Sequence, residues 1–187
     1  MEHLSGLKFL IEYLKKPRSI GAVLPSSKYL ARKMVTGICF ERAGCIVEYG
    51  PGTGVFTDEL INRRSPGTVL LLIEKDPGFF ELLAGKYKDV ENLTVVSGTA
   101  GNVGEYLNLL GFEHADYIVS GLPFASLPQE ISSQILLETK KHLHRDGEFI
   151  TFQYTRFKMG LIKKYFDDIS LVWEIRNVPP AYVLRCK

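Results

Sequence analysis

Short apolar runs alternate with segments of helical periodicity along most of the chain. From Gly44 onward the apolar runs have strand length, and the segments between them carry apolar residues three and four positions apart. The predicted strands cover residues 45–49, 69–74, 93–97, 116–120, 147–154, 169–175 and 182–186, and the predicted helices cover 56–64, 77–87, 103–110, 128–143 and 157–166. Because strands that alternate with helices pair in parallel and carry helices on both faces, we predict an α/β fold with a seven-stranded, mostly parallel sheet and an antiparallel C-terminal strand.

The first 43 residues lie outside this alternation. They predict two helices, over residues 4–16 and 27–36, joined by a turn-rich segment. Leucines line one side of the first helix, Phe9 and Tyr13 lie on another, and lysines flank both, a distribution that suits a bilayer interface. The same residues also allow packing on the rest of the protein, and we expect one side to dock and the other to meet lipid. The predicted organisation is therefore an N-terminal helical segment, 1–43, followed by one domain, 44–187.

Charge is distributed unevenly, although the formal net charge is only +2. Residues 1–33 carry a net charge of +5, residues 156–187 carry +4, and the residues between them carry −7. If the two basic ends meet in space, they form a basic face suited to the phosphates of lipid or nucleic acid. The alternative is two solvated ends.

Composition excludes several classes of protein. Hydrophobic residues make up 45% of the chain, which excludes disorder, and no apolar stretch reaches the roughly 20 residues of a membrane span. The cysteines, Cys39, Cys45 and Cys186, have no metal-binding spacing, and their odd number leaves one unpaired in any disulfide scheme. We therefore expect a reduced, cytoplasmic protein that needs no metal.

A glycine-rich turn follows the first predicted strand and opens a helix, with the sequence Glu48-Tyr49-Gly50-Pro51-Gly52-Thr53-Gly54. Such a turn brings the backbone close to a ligand at a helix N-terminus. Val55 stands where the dinucleotide fingerprint needs glycine, and no Lys-Ser/Thr pair follows, so neither that fingerprint nor a phosphate loop fits. The acid-x-G-x-G-x-G pattern instead resembles motif I of the S-adenosylmethionine-dependent methyltransferases.

A second acid supports a nucleoside cofactor. Glu74 ends the second predicted strand, twenty residues after Gly54, where a carboxylate can accept both ribose hydroxyls. Many methyltransferases place Asp at the position of Thr99 to bind the adenine amino group, and a threonine offers that bond without a charge. The predicted cofactor contacts are Glu48, Tyr49, Gly50, Gly52, Thr53, Glu74, Lys75, Gly98, Thr99, Ala100, Ser120 and Gly121.

The loop after the fourth strand, Ser120-Gly121-Leu122-Pro123-Phe124, resembles the N/D-x-P-Y/F loop of methyltransferases that act on amino groups. In that loop a side-chain oxygen and a backbone carbonyl accept hydrogen bonds from the substrate amine. Ser120 replaces the Asn or Asp, which suits a flexible aliphatic amine better than a planar base. Phe124 is expected to face the substrate or the sulfonium, or else to pack in the core.

Five segments together resemble the bacterial phospholipid N-methyltransferase family. They cover residues 17–31, 47–57, 120–128, 152–155 and 177–183, and the second and third are also similar to rRNA adenine dimethylases. The resemblance implies a Rossmann-like class I methyltransferase fold and methylation of phosphatidylethanolamine toward phosphatidylcholine, with S-adenosylhomocysteine as the other product. It also implies a peripheral enzyme on the inner face of an anionic membrane. The implied catalytic set is Ser120, Leu122, Phe124, Tyr154 and Tyr182.

Two alternatives remain open at the level of sequence. An RNA adenine-N6 methyltransferase would share the glycine turn and the Leu-Pro-Phe loop and would use the basic face, but the missing Asn makes RNA the less favoured partner. A non-catalytic, membrane-associated protein that binds S-adenosylmethionine is compatible with Thr99 and Ser120.

Overall fold

The computed structural model describes residues 27–155 and 159–187. The strands are β1 (Cys45–Tyr49), β2 (Val69–Glu74), β3 (Leu93–Ser97), β4 (Ala115–Ser120), β5 (Leu143–Gln153), β6 (Ile169–Glu174) and β7 (Ala181–Cys186). The α-helices are α1 (Lys28–Val35), α2 (Val55–Ile61), α3 (Pro77–Lys86), α4 (Val103–Leu109), α5 (Gln129–His142) and α6 (Met159–Ile162), and a 3₁₀ turn spans Ala100–Asn102.

The seven strands form one sheet in the order β3-β2-β1-β4-β5-β7-β6. Strands β1 to β5 are parallel, and β7 is antiparallel to both of its neighbours, β5 and β6. Strand β6 therefore runs in the same direction as β1 to β5. The carboxyl ends of these six strands, together with the β6–β7 turn, lie at one edge of the sheet, which we call the carboxyl edge. This topology confirms the predicted α/β fold.

Two apolar layers cover the sheet, because alternate residues of each strand point to opposite faces. Helices α4, α5 and α6 pack on one face, and α1, α2 and α3 pack on the other. The first face, called the α5 face below, includes Tyr49 of β1 and Leu184 of β7. The second, called the α1 face, includes Leu30 and Met34 of α1, so this helix is part of the core.

The residues flanking α1 tie it to the C-terminal strands. Ser27 caps the helix, with its hydroxyl accepting from the Leu30 N–H, and its own N–H donates to Asn177 Oδ1 at 3.1 Å. The Arg185 guanidinium donates to the carbonyl of Thr36 at the other end. The described parts of the two basic ends therefore meet in space, as a shared basic face requires.

Most predicted elements agree with the structure to within a few residues, and the largest differences are at β5 and at α6, which ends at Ile162 instead of 166. This strand begins at Leu143 instead of 147, because Leu143 pairs with Ala115 across a register shift before regular pairing starts at Tyr117 and Glu148. The predicted helix 4–16 and the start of the predicted helix 157–166 lie outside the described residues. The predicted boundary between residues 43 and 44 stays a prediction.

Candidate cofactor and substrate site

The glycine turn after β1 forms the centre of the candidate site. Gly50, Gly52 and Gly54 have φ angles of +59°, +56° and +84°, a left-handed region that a side chain disfavours. A Cβ atom on Gly50 would lie 2.8 Å from Leu122 Cδ2, and one on Gly54 would lie 2.2 Å from the Tyr87 hydroxyl oxygen. A Cβ atom on Gly52 would meet nothing within 4 Å. The turn is therefore packed at both ends and open at Gly52.

Glu74 holds this turn from the end of β2. Its Oε2 accepts from the Gly52 N–H at 3.1 Å and its Oε1 from the Asp76 N–H at 2.9 Å. Burial raises the pKa of the Glu74 carboxyl above its ordinary value, and these backbone donors oppose the rise. The Glu74 carboxylate thus links the end of β2 to the turn after β1, where a ribose is expected. The neighbouring Lys75 is exposed.

Glu48, on β1, is fully buried and only half satisfied. Its Oε2 accepts from the Thr57 hydroxyl at 2.7 Å, and its Oε1 has no hydrogen-bond partner among the residues described. Burial raises the pKa of Glu48 to about 8, against the effect of the Thr57 bond. A buried carboxyl oxygen without a donor is costly unless a ligand supplies one. The ammonium of an amino-acid moiety is a donor of the required kind.

The end of β3 supplies the third predicted contact region. The hydroxyl of Thr99 accepts from the Gly101 N–H at 3.4 Å and caps the 3₁₀ turn. Ala100 is buried, and a Cβ atom on Gly98 would lie 2.0 Å from the Tyr106 hydroxyl oxygen. The backbone at Gly98 is thus covered by Tyr106, whereas Thr99 is exposed at the carboxyl edge.

The loop after β4 packs directly on the glycine turn. The Gly121 N–H donates to the Tyr49 carbonyl at 2.8 Å, and a Cβ atom on Gly121 would lie 2.6 Å from the Gly50 carbonyl oxygen. The buried hydroxyl of Ser120 accepts from the Leu122 N–H at 3.2 Å and so shapes the loop. Only glycine permits this close approach of the two loops, which places Ser120 and Leu122 beside the glycine turn.

The remaining predicted site residues are divided between the two faces of the sheet. Phe124 is buried and packs edge-to-face on Phe149, 6.1 Å between ring centroids, which is the core packing given above as the alternative. Tyr182 lies on the α5 face, with Ser120, whereas Tyr154 packs on Phe152 on the α1 face. The two tyrosines therefore do not meet at one site, and their catalytic roles stay predictions. Thr53, the remaining predicted contact, is half-buried in the glycine turn.

Sequence reasoning did not select Gln153, the last residue of β5. This side chain is 3% exposed, and both heteroatoms of its amide lack partners within the described ranges. The only available signal was a polar residue at an inward position of an apolar run. In residues 27–155 and 159–187, no group of His, Cys, Asp and Glu could hold a metal ion.

These residues fit S-adenosylmethionine. The open position at Gly52, the strand-end Glu74 and the unpartnered Glu48 Oε1 provide a cradle, an acceptor for ribose hydroxyls and an acceptor for an ammonium. Two features define a class I methyltransferase. The antiparallel strand β7 is inserted between β5 and β6, which run in the opposite direction, and the site lies between β1 and β4.

Comparisons with known proteins agree with this class. A family model described as ribosomal RNA adenine dimethylase matches residues 21–159. The chain belongs to this family of S-adenosylmethionine-dependent methyltransferases. Among solved structures, fibrillarin from Aeropyrum pernix, with natively bound S-adenosylmethionine, aligns with a TM-score of 0.68 over 86% of this chain and 76% of that one, at 14% identity. TrmN from Thermus thermophilus aligns with a TM-score of 0.64 over 84% of this chain and 48% of that one, at 13% identity.

The curated relatives fall into two groups. An ornithine lipid N-methyltransferase of Singulisphaera acidiphila is 34% identical over 184 residues, covering 96% of this chain and 94% of that protein. A ribosomal RNA small subunit methyltransferase A of Sulfurihydrogenibium sp. is 29% identical over 59% of this chain, and a probable one of Methanosarcina mazei is 28% identical over 70%. The chain spans only 42% and 47% of those two enzymes. The predicted similarity to both lipid and rRNA methyltransferases is confirmed.

Proposed function

We propose that the protein methylates the aliphatic amino group of a membrane lipid at the membrane surface, with phosphatidylethanolamine as the predicted substrate. The observation that carries this proposal is the match to the ornithine lipid N-methyltransferase over nearly the full length of both chains. The rRNA methyltransferases match over less than half of their own length. Ornithine lipid is the second substrate to be tested.

The loop after β4 supports an aliphatic amine. Ser120 is buried, and its hydroxyl is engaged with the Leu122 N–H, so this position does not present the amide that orients a planar base. When bound, S-adenosylmethionine supplies a sulfonium methyl group, whose carbon bonds to the amine nitrogen as the carbon–sulfur bond breaks and the thioether keeps the electron pair. The contribution of this chain is to hold the amine in line and in its neutral form.

Deprotonation of the amine is the main chemical demand on the site. An ethanolamine ammonium titrates near lysine, so its neutral form at pH 7 costs roughly 4 to 5 kcal/mol. Desolvation at the carboxyl edge lowers this cost. The proton lost by the amine passes to solvent.

A panel of lipid substrates tests the proposal. Labelled S-adenosylmethionine is incubated with vesicles of phosphatidylglycerol mixed with phosphatidylethanolamine, with ornithine lipid, or with phosphatidylcholine as the control that has no free amine. We expect label in an aminolipid headgroup and none in the control. Label in neither aminolipid, with binding of S-adenosylmethionine intact, would refute the proposal.

A further inference from the structure

The end of β6 and the turn that follows it carry the main exposed aromatic and aliphatic side chains of the carboxyl edge. Trp173, Ile175 and Val178 are 58%, 64% and 79% exposed. Trp173 stacks on Tyr182 with 5.9 Å between the rings, and the Arg176 guanidinium lies 4.6 Å from the centre of the Tyr29 ring. We call this surface the aromatic turn; it consists of Tyr29, Trp173, Ile175, Arg176 and Val178.

The aromatic turn is held firmly by a buried side chain. Asn177, 2% exposed, accepts from the Ser27 N–H and donates from Nδ2 to the Pro179 carbonyl at 2.7 Å. The apolar residues on both sides of Asn177 are therefore fixed in water-exposed positions. Exposed Trp and Tyr beside Arg and Lys is the combination that favours the boundary between lipid headgroups and hydrocarbon.

Charge favours an anionic partner for this surface. Lys28 is exposed next to Tyr29, and Lys33 of the same helix lies close enough to Glu174 to lower the pKa of that carboxyl, after the larger effect of the Arg176 hydrogen bonds. Glu174 is the acid that these cations face, and Arg176 pairs with it at 3.1 Å. Lys28, Lys33 and Arg176 thus outnumber Glu174 at this surface.

Position connects the aromatic turn with the candidate site. Strand β6 lies about 14 Å across the sheet from β4, and the strand registers place Trp173 two residues nearer the carboxyl edge than the row of Ser120. A bilayer that contacts the turn would therefore lie beside the opening of the site. We propose that the aromatic turn inserts into the headgroup region of an anionic bilayer and so presents the site to lipid. This inference rests on the proposed function and names the surface that it uses.

The single tryptophan of the chain makes the test specific to this surface. In the full-length protein, phosphatidylglycerol vesicles should shift Trp173 emission to shorter wavelength, and brominated lipids should quench it. The affinity of the double variant Ile175→Ser/Val178→Ser for these vesicles should fall about tenfold or more, because two apolar side chains are lost from the interface. Leu109→Ser is the matched control, since Leu109 is 82% exposed at the end of α4, at the opposite edge of the sheet; its affinity should not change.

Three outcomes would overturn this assignment. Co-sedimentation with unchanged Trp173 emission would mean that another surface binds the membrane. Free protein whose Trp173 resists iodide quenching would mean that another part of the chain covers the turn. Emission that changes with protein concentration alone would indicate a second copy as the partner. A shift in Trp173 emission without any lipid methylation would instead count against the proposed function and leave the docking surface intact.

A separate observation concerns Gln153. The β5–β7 register places it beside Tyr182, and the β4–β5 register places Thr151, on the same face, beside Ser120. The buried hydroxyl of Thr151 and both heteroatoms of the Gln153 amide lack partners in the described structure. The unpaired polar groups of Thr151 and Gln153 thus extend from beside Ser120 to the carboxyl end of β5.

Unpaired buried amides destabilise a fold, so such a group calls for a function. The loop after β4 has Ser120 where an amide would accept from the substrate amine, and the adjacent strand carries an unpaired amide at its end. We infer that Gln153 is a substrate-binding residue whose amide oxygen accepts a hydrogen bond from the amine. This inference also rests on the proposed function.

Gln153→Leu separates this role from a structural one. The variant should bind S-adenosylmethionine as wild type does and melt at the same or a higher temperature, since it removes unpaired polar atoms, while turnover of aminolipid falls tenfold or more. Ser132→Ala, which removes a buried unpaired hydroxyl on α5, is the control and should keep wild-type turnover. A lower melting temperature with unchanged turnover would overturn the inference, whereas an inactive wild type would count against the proposed function.

Discussion

At the scale of single residues, the site combines an unsatisfied polar group with an open backbone position that favours glycine. Glu48 is buried with one free oxygen, and Gly52 keeps a left-handed backbone beside open space. Neither feature improves the stability of the free protein. Both are explained by a bound cofactor that supplies a cation and fills the space.

Glu48 predicts a specific dependence of stability on pH. Its pKa is about 8 in the folded protein and near 4.5 when unfolded. Between these values the unfolded chain has lost a proton that the folded protein keeps, so the Glu48 contribution to the free energy of unfolding falls as pH rises, by at most about 1.4 kcal/mol per pH unit. Glu48→Gln should remove this part of the slope in urea titrations from pH 5 to 8. An unchanged slope would mean that Glu48 is ionised in the free protein.

The same carboxyl predicts how cofactor affinity depends on pH. Pairing with an ammonium requires ionised Glu48, so the affinity for S-adenosylmethionine should rise with pH and level off above about pH 8. Calorimetry should also record proton release on binding near pH 7. Glu48→Gln should bind more weakly and without proton release; tight binding by this variant would place the ammonium elsewhere.

Gly52 and Gly54 provide a matched pair of variants. Gly52→Asp should lose about 1 to 2 kcal/mol of stability from the left-handed backbone, yet abolish binding because its side chain enters the open space beside Glu48 and Glu74. Gly54→Ala should be destabilised further, because its Cβ atom would meet the Tyr87 hydroxyl. Thermal melts and calorimetry of both proteins make the comparison; full binding by Gly52→Asp would show that the cofactor does not lie at this turn.

At the scale of elements, the loop after β4 is both a structural and a functional segment. Phe124 packs against Phe149, which in turn stacks on Phe166. Phe124→Ala should therefore cost about 3 to 5 kcal/mol of unfolding free energy, through loss of burial and a cavity. Urea denaturation measures this cost. A variant of full stability with reduced turnover would instead support the prediction that this ring lines the methyl-transfer pocket.

The N-terminal segment has its own expected effect. Deleting residues 1–16 should reduce co-sedimentation with anionic vesicles much more than affinity for S-adenosylmethionine, since each basic residue near the surface contributes about 1 kcal/mol and salt screens it. The deletion ends before α1, because Leu30 and Met34 of this helix lie in the core. Equal co-sedimentation by the shortened protein would indicate that the deleted residues pack on the domain.

Element order and strand direction were predictable because apolar runs and turn residues mark each strand of the sheet. The early start of β5 was not, since Arg145-Asp146-Gly147 has the composition of a turn and the pairing of Leu143 with Ala115 depends on a distant strand. The location of Tyr154 and Tyr182 on opposite faces of the sheet was also not predictable from the sequence. It follows from the register of Gln153 with Tyr182, and sequence does not specify register between strands that are far apart in the chain.

At the scale of the whole molecule, the fold brings together features that are far apart in sequence. The described parts of both basic ends meet across α1, β6 and β7. The β6–β7 turn lies at the carboxyl edge, which also carries the glycine turn. No helix within the described ranges is long and apolar enough to cross a membrane. The proposed contact of the aromatic turn with a bilayer would place lipid beside this edge, which is the arrangement that an aminolipid methyltransferase requires.

Offering lipid and RNA to the protein in one reaction separates the two classes of substrate. Labelled S-adenosylmethionine is added to vesicles of phosphatidylethanolamine and phosphatidylglycerol mixed with small-subunit rRNA, and label is measured in each fraction from pH 7 to 9. We expect label in the lipid headgroup, at a rate that rises with pH because the fraction of neutral amine grows about tenfold per pH unit below its pKa. Label in RNA adenine, with none in lipid at any pH, would contradict the proposed function.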